Sequence, residues 1–513
     1  ADNPKTDTEA LAKGLKKEGW EFLKKCDGMF ALAFYNKTTK ELILARDSNG
    51  TKPLYYGYLK ERLYFSSEIK SLLECGFERR ICKRALSLYY NQGYTPGYLT
   101  MFEGIKKLVP GEVWVNGTKH NLNNVDLLEP TKLNLEHVRR QVQLKNNYAV
   151  NQTLMGRRNI GLFLSGGLDS TSILYEMKSL GVKPRTFTSS FATTDPLSFL
   201  NEDSNLAKRI CKEWNIENNV LHQTQQDYVD ALEDTFYALE EPRQGKSFPT
   251  YYNMNKFISS NDITVTLAGD GGDELFAGYK HHKDPNWRGK LKNLRINTRD
   301  LRNPELCCSL DDQVNYLNEW LPTQQIKSKD LLNDFLYVES LNALAEDFLV
   351  RNDKLGMAFS MEGRFPIINK RLRDYVRALP SHLKLDGEFA RQPKRKHKFL
   401  QKEAYRGLLP EYIIDHYKTG WRFPTDEILI GRMDAPAPTK GLLRDFIRET
   451  LNDKELMDIF EYDMGDVENR YLNNRDHVKV GNVDKSGPGM KSQKELFCTL
   501  NFAIWKKVYG MTI

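Results

Sequence analysis

No apolar run in the 513-residue chain approaches the ~18 residues needed to cross a bilayer, and no basic-then-apolar leader opens it. These absences argue against a helical membrane protein and a secreted one, so the expected compartment is cytoplasmic. Cysteine is scarce: seven residues, an odd number without a repeating framework, as expected of reduced thiols. Cys307 and Cys308 are adjacent, but no Cys or His pair stands beside them at zinc spacing, so they read as structural. Internal repeats and low-complexity segments are absent too, which removes solenoid and fibrous architectures from consideration.

What is there is ordinary globular chemistry. Hydrophobic residues make up 40% of the chain and charged residues 28%, and 25 Tyr with 25 Phe argue against disorder. The length exceeds what one core serves and predicts two or three domains. The net charge of +7 includes a dense run, RQPKRKHK from Arg391 to Lys398. That run lacks the interleaved aromatics of a base-stacking platform, so no nucleic acid partner is expected and the run reads as a solvated face or an anion site.

Periodicity divides the chain. From about Gly28 to Leu128, MFALAFYN, KELILARD and PLYYGYLKERLYFSS alternate in the manner of antiparallel strands and hairpins, preceded by a helix from Thr8 to Lys25. Residues 131–158 are polar, helical in pattern, and read as a connector after a first domain spanning 1–130. From 159 to 513 the period changes. NIGLFLS, RTFTSSF, NNVLHQ and ITVTLAG are short buried-type strands separated by helical segments, the signature of a parallel sheet covered on both faces. Beyond about residue 290 the pattern is mostly helical. The predicted fold class is therefore α/β, with an antiparallel α+β domain in front.

Two loops follow these strands. LSGGLDST, residues 164–171, opens a helix with two glycines and three hydroxyls, which suits backbone N–H donation to a phosphate at a helix amino terminus. The Gly-Lys-Ser/Thr ending of a Walker loop is missing. Asp169 would repel a phosphate unless a cation lay between them, so its presence implies Mg²⁺. LAGDGGDELFAGY, residues 267–279, packs four glycines and three acids behind the last strand. If both strands share a sheet, Asp169 and Asp273 point into one crevice as paired metal carboxylates, leaving Asp270 to act on substrate as a base.

Taken together, SGGLDS and GDGGDELFAGY resemble the glutamine-dependent asparagine synthetase family, built on an ATP pyrophosphatase domain. SMEGRFPI (360–367) and KFLQKEAYRGLLPEYIIDHYKTGWRFP (398–424) are similar to further stretches of that family, and TDTE, GMFALAFYN, ARDSNGTKPLYY and FSSEIK to its class II glutamine amidotransferase domain. The resemblance implies that backbone around Leu164, Ser189, Ala268 and Gly269 holds the adenosine of ATP. It implies that Ser165, Gly166, Gly167 and Ser170 hold pyrophosphate, and that Asp169 and Asp273 hold Mg²⁺. Asp270 would be the base toward the attacking amine, Glu362 a second acid, and Lys418 the cation at the adenylate. ATP, aspartate, and glutamine or ammonia are the implied substrates, and a homodimer the implied assembly. The same adenylation chemistry on another carboxylate, giving an amide or lactam, is the alternative; a tRNA-modifying ATP pyrophosphatase shares only SGGxDS.

Three positions depart from the family. The chain begins at Ala1 where an amidotransferase nucleophile would be an amino-terminal Cys, and its first Cys is Cys26. Asp7 is then a glutamine-binding remnant, and ammonia the expected nitrogen source of the chain that begins at Ala1. Asn369 replaces an aspartate and His416 an arginine, both at positions expected near the substrate pocket.

Overall fold

The computed structural model describes residues 4–123, 134–156, 158–192, 201–283, 308–321, 330–385, 397–416, 424, 428–429, 431–432, 439–472 and 493–512. The amino-terminal part is built on two antiparallel sheets. The first contains β1 (Ala31–Asn36), β2 (Glu41–Arg46), β6 (Glu112–Val115) and β7 (Thr118–Asn121) in that order, and the second runs β4 (Arg62–Ser66), β3 (Tyr55–Leu59), β5 (Ile105–Lys107). Alternation along β2 sets the faces. Ile43 and Ala45 pack with Val113 and with Leu15 of the helix Asp7–Glu18, whereas Leu44 packs with Leu54 and Leu108 on the other side. The β3–β4 hairpin turns through Lys60 and Glu61, both at positive φ (48° and 63°), a geometry usually given to Asn-Gly.

The second part carries an all-parallel sheet of β8 (Ile160–Phe163), β9 (Arg185–Phe191), β10 (Glu217–Gln223), β11 (Val265–Leu267) and β12 (Glu362–Arg364). Its order is β10-β9-β8-β11-β12. The chain therefore steps outward from β8 to β10, then returns to the opposite side of β8 as β11. The strand order reverses between β8 and β11, where an open α/β sheet leaves a crevice beyond its carboxyl ends. β12 has no sequence signature; three residues with glycine in the middle carry too little periodicity to be read.

The helix Leu168–Ser179 buries Ile173, Leu174 and Met177 against this sheet. The stretch expected as a connector contains the 19-residue helix Leu135–Thr153, whose Val138, Val142 and Val150 join the same core. Glu176, fully buried, ties three elements together. It accepts from Gln143 at 3.0 Å and Asn147 at 2.7 Å of that helix and from the Tyr405 hydroxyl at 2.8 Å.

Buried charge joins the two parts. Arg46 donates to Glu346 Oε1 at 2.8 Å, and Lys107 Nζ lies 2.8 Å from Glu346 Oε2, all three groups being inaccessible to solvent. Burial alone would raise the Glu346 carboxyl; the two cations outweigh it and hold the group below its usual range. Lys354 bonds Glu240, which also accepts from the backbone N–H groups of Ile69 and Lys70 at 3.0 and 2.9 Å. The helix Gln493–Tyr509 adds Trp505, packed edge-on to Phe102 at 5.4 Å between ring centres. Replacing Glu346 with Ala leaves Arg46 and Lys107 buried without their counter-ion, an expected loss of about 3–5 kcal/mol in denaturant unfolding. A loss below about 1 kcal/mol would show that the contact does not hold the parts together.

Candidate active site

The two loops meet. Residues after β8 and residues after β11 line one crevice of about 890 Å³ at the reversal point of the sheet. Leu164 is fixed there by its N–H to Phe187 O at 2.9 Å and by Thr188 donating to its carbonyl at 2.8 Å. The loop then turns through Gly166 at φ +77°. A side chain at Gly166 would strike the Ala207 backbone N at 2.6 Å, so this glycine brings the loop against the helix Glu202–Trp214; it does not itself line the crevice. Ser165 and Ser170 sit 3.1 Å apart through their hydroxyls, and Gly167 N–H donates to Ser165 Oγ at 3.3 Å. Gly167 caps the helix Leu168–Ser179 in extended conformation without a side-chain cap, so the first-turn N–H groups face an anion position.

The acidic loop explains its own glycines. A Cβ at Gly269 would lie 2.7 Å from Asp169 Cβ, one at Gly272 would fall on the Asp169 carboxylate, and one at Gly278 on the Asp273 carboxylate. Only the absence of a side chain at all three positions lets Asp169 and Asp273 converge. They converge on a cation. Lys398 Nζ bonds Asp169 and lies 2.9 Å from Asp273 Oδ1, while Gln401 donates to the other Asp169 oxygen at 3.1 Å. Burial works to lower the Lys398 ammonium, but Asp169 and Asp273 together hold it above its usual range. Lys398 also has left-handed backbone, φ 53° and ψ 35°, a conformation an L side chain adopts at a cost.

Asp270 is set apart from that pair. Burial raises its carboxyl above the ordinary range and Asp169 adds to the effect, opposed by Arg351, whose Nη2 lies 3.7 Å away. The Arg351 guanidinium is held over the rings of Tyr251 (4.5 Å) and Phe348 (5.0 Å) and is 7% exposed. A half-buried carboxylate with raised proton affinity beside a stacked guanidinium is suited to taking a proton next to a bound anion.

Of the residues singled out from sequence, Leu164, Ser165, Gly167, Asp169, Ser170, Ser189, Ala268, Gly269, Asp270 and Asp273 all line the crevice. Ser189 accepts from Gln223 at 2.7 Å. Glu362 is not brought there. It lies at the start of β12, in register with Val265, and its carboxylate accepts from Arg364 Nε at 2.6 Å. Asn369, expected near the substrate pocket, instead caps the helix Lys370–Ala378 and donates to Asp27 of the amino-terminal part at 3.2 Å. His416 does line the crevice, 4.0 Å from Asp203. Asp7 is exposed in the first turn of its helix, and Lys418 lies outside the described residues. Sequence reading missed Lys398 and Arg351. Lys398 ends a basic run that pattern alone reads as a solvated face or an anion site, and Arg351 sits in an unremarkable helical stretch.

A loop for phosphate and a loop of acids, facing each other across a parallel sheet, define a nucleotide-using α/β enzyme. A family model described as asparagine synthase matches residues 146–480, more than half the chain, and one described as a glutamine amidotransferase domain matches residues 3–124. The chain belongs to the asparagine synthase family, and it is an ATP-dependent carbon–nitrogen ligase with an amidotransferase domain in front. It is 24% identical to asparagine synthetase [glutamine-hydrolyzing] 1 of Bacillus subtilis, over 99% of this chain and 81% of that one. A putative asparagine synthetase of Methanocaldococcus jannaschii is 26% identical over 54% of each chain, and the amidase chry2 of Gibberella zeae 26% identical over 53% of this chain and 43% of its own. Among solved structures, an NH3-dependent NAD synthetase from Campylobacter jejuni matches 42% of this chain and 96% of its own at 12% identity and a TM-score of 0.21, too slight a likeness to bear on the site. Among the described residues no helix is long and apolar enough to cross a membrane.

Glu274, next to Asp273, is buried, and burial with help from Asp273 raises its carboxyl to about 8; the Tyr279 hydroxyl donates to it at 2.7 Å. The folded state thus keeps a proton that the unfolded chain releases near pH 4.5. Stability is lost as pH rises from there through about 8. Glu274→Gln, which cannot release that proton, is expected to gain on the native chain in urea unfolding between pH 5.5 and 8. Parallel pH profiles for the two proteins would contradict the assignment.

Proposed function

We propose that the chain adenylates the side-chain carboxylate of aspartate and aminates it with ammonia, from glutamine or from solution. The observation that carries this reading is the division of three carboxylates into a pair sharing one cationic position and a third, Asp270, beside Arg351. In the first step a carboxylate oxygen attacks the α-phosphorus of ATP, and the bond to the β-phosphoryl oxygen breaks, releasing pyrophosphate. In the second, the amine nitrogen attacks the acyl carbon, AMP leaves, and the nitrogen gives up a proton.

Asp169 and Asp273 suit Mg²⁺: both are carboxylates, they already converge on one cation, and glycines clear the space around them. Bound there, the ion supplies neutralisation of phosphate charge. The backbone of Ser165–Ser170 would hold the phosphates, with Leu164, Ser189, Ala268 and Gly269 against the adenosine. Lys398 brings a point charge to the same place, and a positioned cation strengthens as the leaving phosphate gains charge. Arg351 would receive the α-carboxylate of the acceptor, orienting it so that the side-chain carboxylate faces ATP, and Asp270 would take the proton from the attacking amine. Lys418 would be the cation at the adenylate, as the family resemblance implies; Glu362, held by Arg364 outside the crevice, is given no part in the reaction.

Asp273→Asn and Asp270→Asn are expected to fail differently. Asp273→Asn should abolish ATP–pyrophosphate exchange, because adenylation itself needs the paired charge. Asp270→Asn should still exchange while amide formation slows by ~10²- to 10⁴-fold, the usual loss for a general base. Equal loss of exchange in both variants would make Asp270 part of the metal site, and ADP as main product would overturn adenylation altogether.

A further inference from the structure

A second cavity, of about 280 Å³, lies behind the acidic loop. It shares Gly271, Glu274 and Leu344 with the crevice, and Asn49 and Asn123 close it from the amino-terminal side. No step of the proposed reaction uses it. Its lining is cationic: Lys370, Arg373, Arg377 and Lys384 all border it.

Three acids also border the cavity, Asp374, Glu274 and Asp334, fewer than its cations. Asp374 is engaged by Arg373 Nε at 2.9 Å, so that pair is neutral within itself. Glu274 is turned to Tyr279, whose hydroxyl donates to it at 2.7 Å. Three of the bordering cations donate to neutral oxygens. Arg377 donates to Ser340 Oγ at 2.6 Å, Lys384 to Asn333 Oδ1 at 2.6 Å, and Lys370 to the Lys24 carbonyl at 2.9 Å. Arg377 is further fixed over the Tyr337 ring at 4.8 Å, and Lys384 is 1% exposed. Burial lowers Arg377 to about 9; Arg373 adds to the effect, and Tyr337 and Asp374 oppose it. Burial also lowers Lys384 to about 7, where Asp330 opposes the shift and Arg377 reinforces it. The carboxylate of Asp330 is itself occupied by the backbone N–H of Ser381 and the side chain of Asn333. Lys384 is buried and Arg377 half-buried, and cations so placed that bond neutral oxygens are stabilised by an anion between them.

We propose that this cavity binds a tetrahedral oxyanion of the phosphate class, inorganic phosphate or pyrophosphate, between Arg377 and Lys384. A guanidinium fork matches two oxygens of such an anion, and an ammonium supplies a point charge from another side. The volume lies just below the ~300 Å³ at which drug-sized pockets begin, which suits a compact anion and not a nucleotide. Bound there, the anion would rest against the rear of the loop that carries Asp270 and Asp273.

The test is calorimetric titration of the full chain with sulfate, phosphate and pyrophosphate in turn, the crevice first filled with a non-hydrolysable ATP analogue. Binding is expected to persist under that block and to weaken at least about tenfold in Arg377→Gln and in Lys384→Gln, with analogue affinity unchanged. The tighter of phosphate and pyrophosphate identifies the source. A crystal of the native chain soaked in selenate gives a readout independent of how the variants fold: an anomalous peak is expected beside the Arg377 guanidinium. No binding with the crevice filled, undiminished binding in both variants, or selenate found only outside this cavity would overturn the proposal.

Discussion

The crevice between the two loops depends on two carboxylates from distant loops being held against one another. Asp169 opens a helix after β8 and Asp273 follows β11, about a hundred residues later, yet both contact the same ammonium. Like charges at that separation repel, and burial makes the repulsion worse. The fold meets the cost in three ways. The parallel sheet puts both strand ends at its reversal point, glycines at 269, 272 and 278 remove the side chains that would hold the loops apart, and Lys398 supplies the opposite charge.

That arrangement reaches outward through buried polar contacts. Glu176 anchors the helix behind the phosphate loop to two other helices, and Tyr405, one of its donors, sits on the same helix as Gln401, which bonds Asp169. On the other side, Glu346 lies in the helical segment that also carries Leu344 of the crevice wall, and it is neutralised by two cations of the amino-terminal part. The amino-terminal part is thus built into the electrostatics of the nucleotide domain. Its removal would leave Glu346 without either of its cations.

Much of this was legible from residue types at strand ends. A short apolar run followed by SGGLDS or GDGGDE states where a strand stops and what its loop can hold, and four of the five parallel strands follow from such runs. The rest needed coordinates for physical reasons. β12 is three residues long and gains its identity only by pairing with β11. Lys398 has the composition of a surface residue and becomes buried only because two acids attract it. Asn369 matches a family position near substrate, yet its side chain caps a helix and reaches Asp27, a contact that no local pattern announces. Glu362 likewise turns to Arg364 two residues on, a pairing across one strand that is invisible without knowing that the segment is extended.

The central claim is that Asp169 and Asp273, which share Lys398, would also form the position of a divalent cation. Manganese, a spectroscopic substitute for Mg²⁺, tests it by paramagnetic resonance in the absence of nucleotide. Lys398→Met removes the competing ammonium and is expected to bind Mn²⁺ at least about tenfold more tightly than the native chain, and adding Asp273→Asn should erase that gain. Mn²⁺ affinity unchanged by Lys398→Met, or a gain that survives Asp273→Asn, would contradict the account.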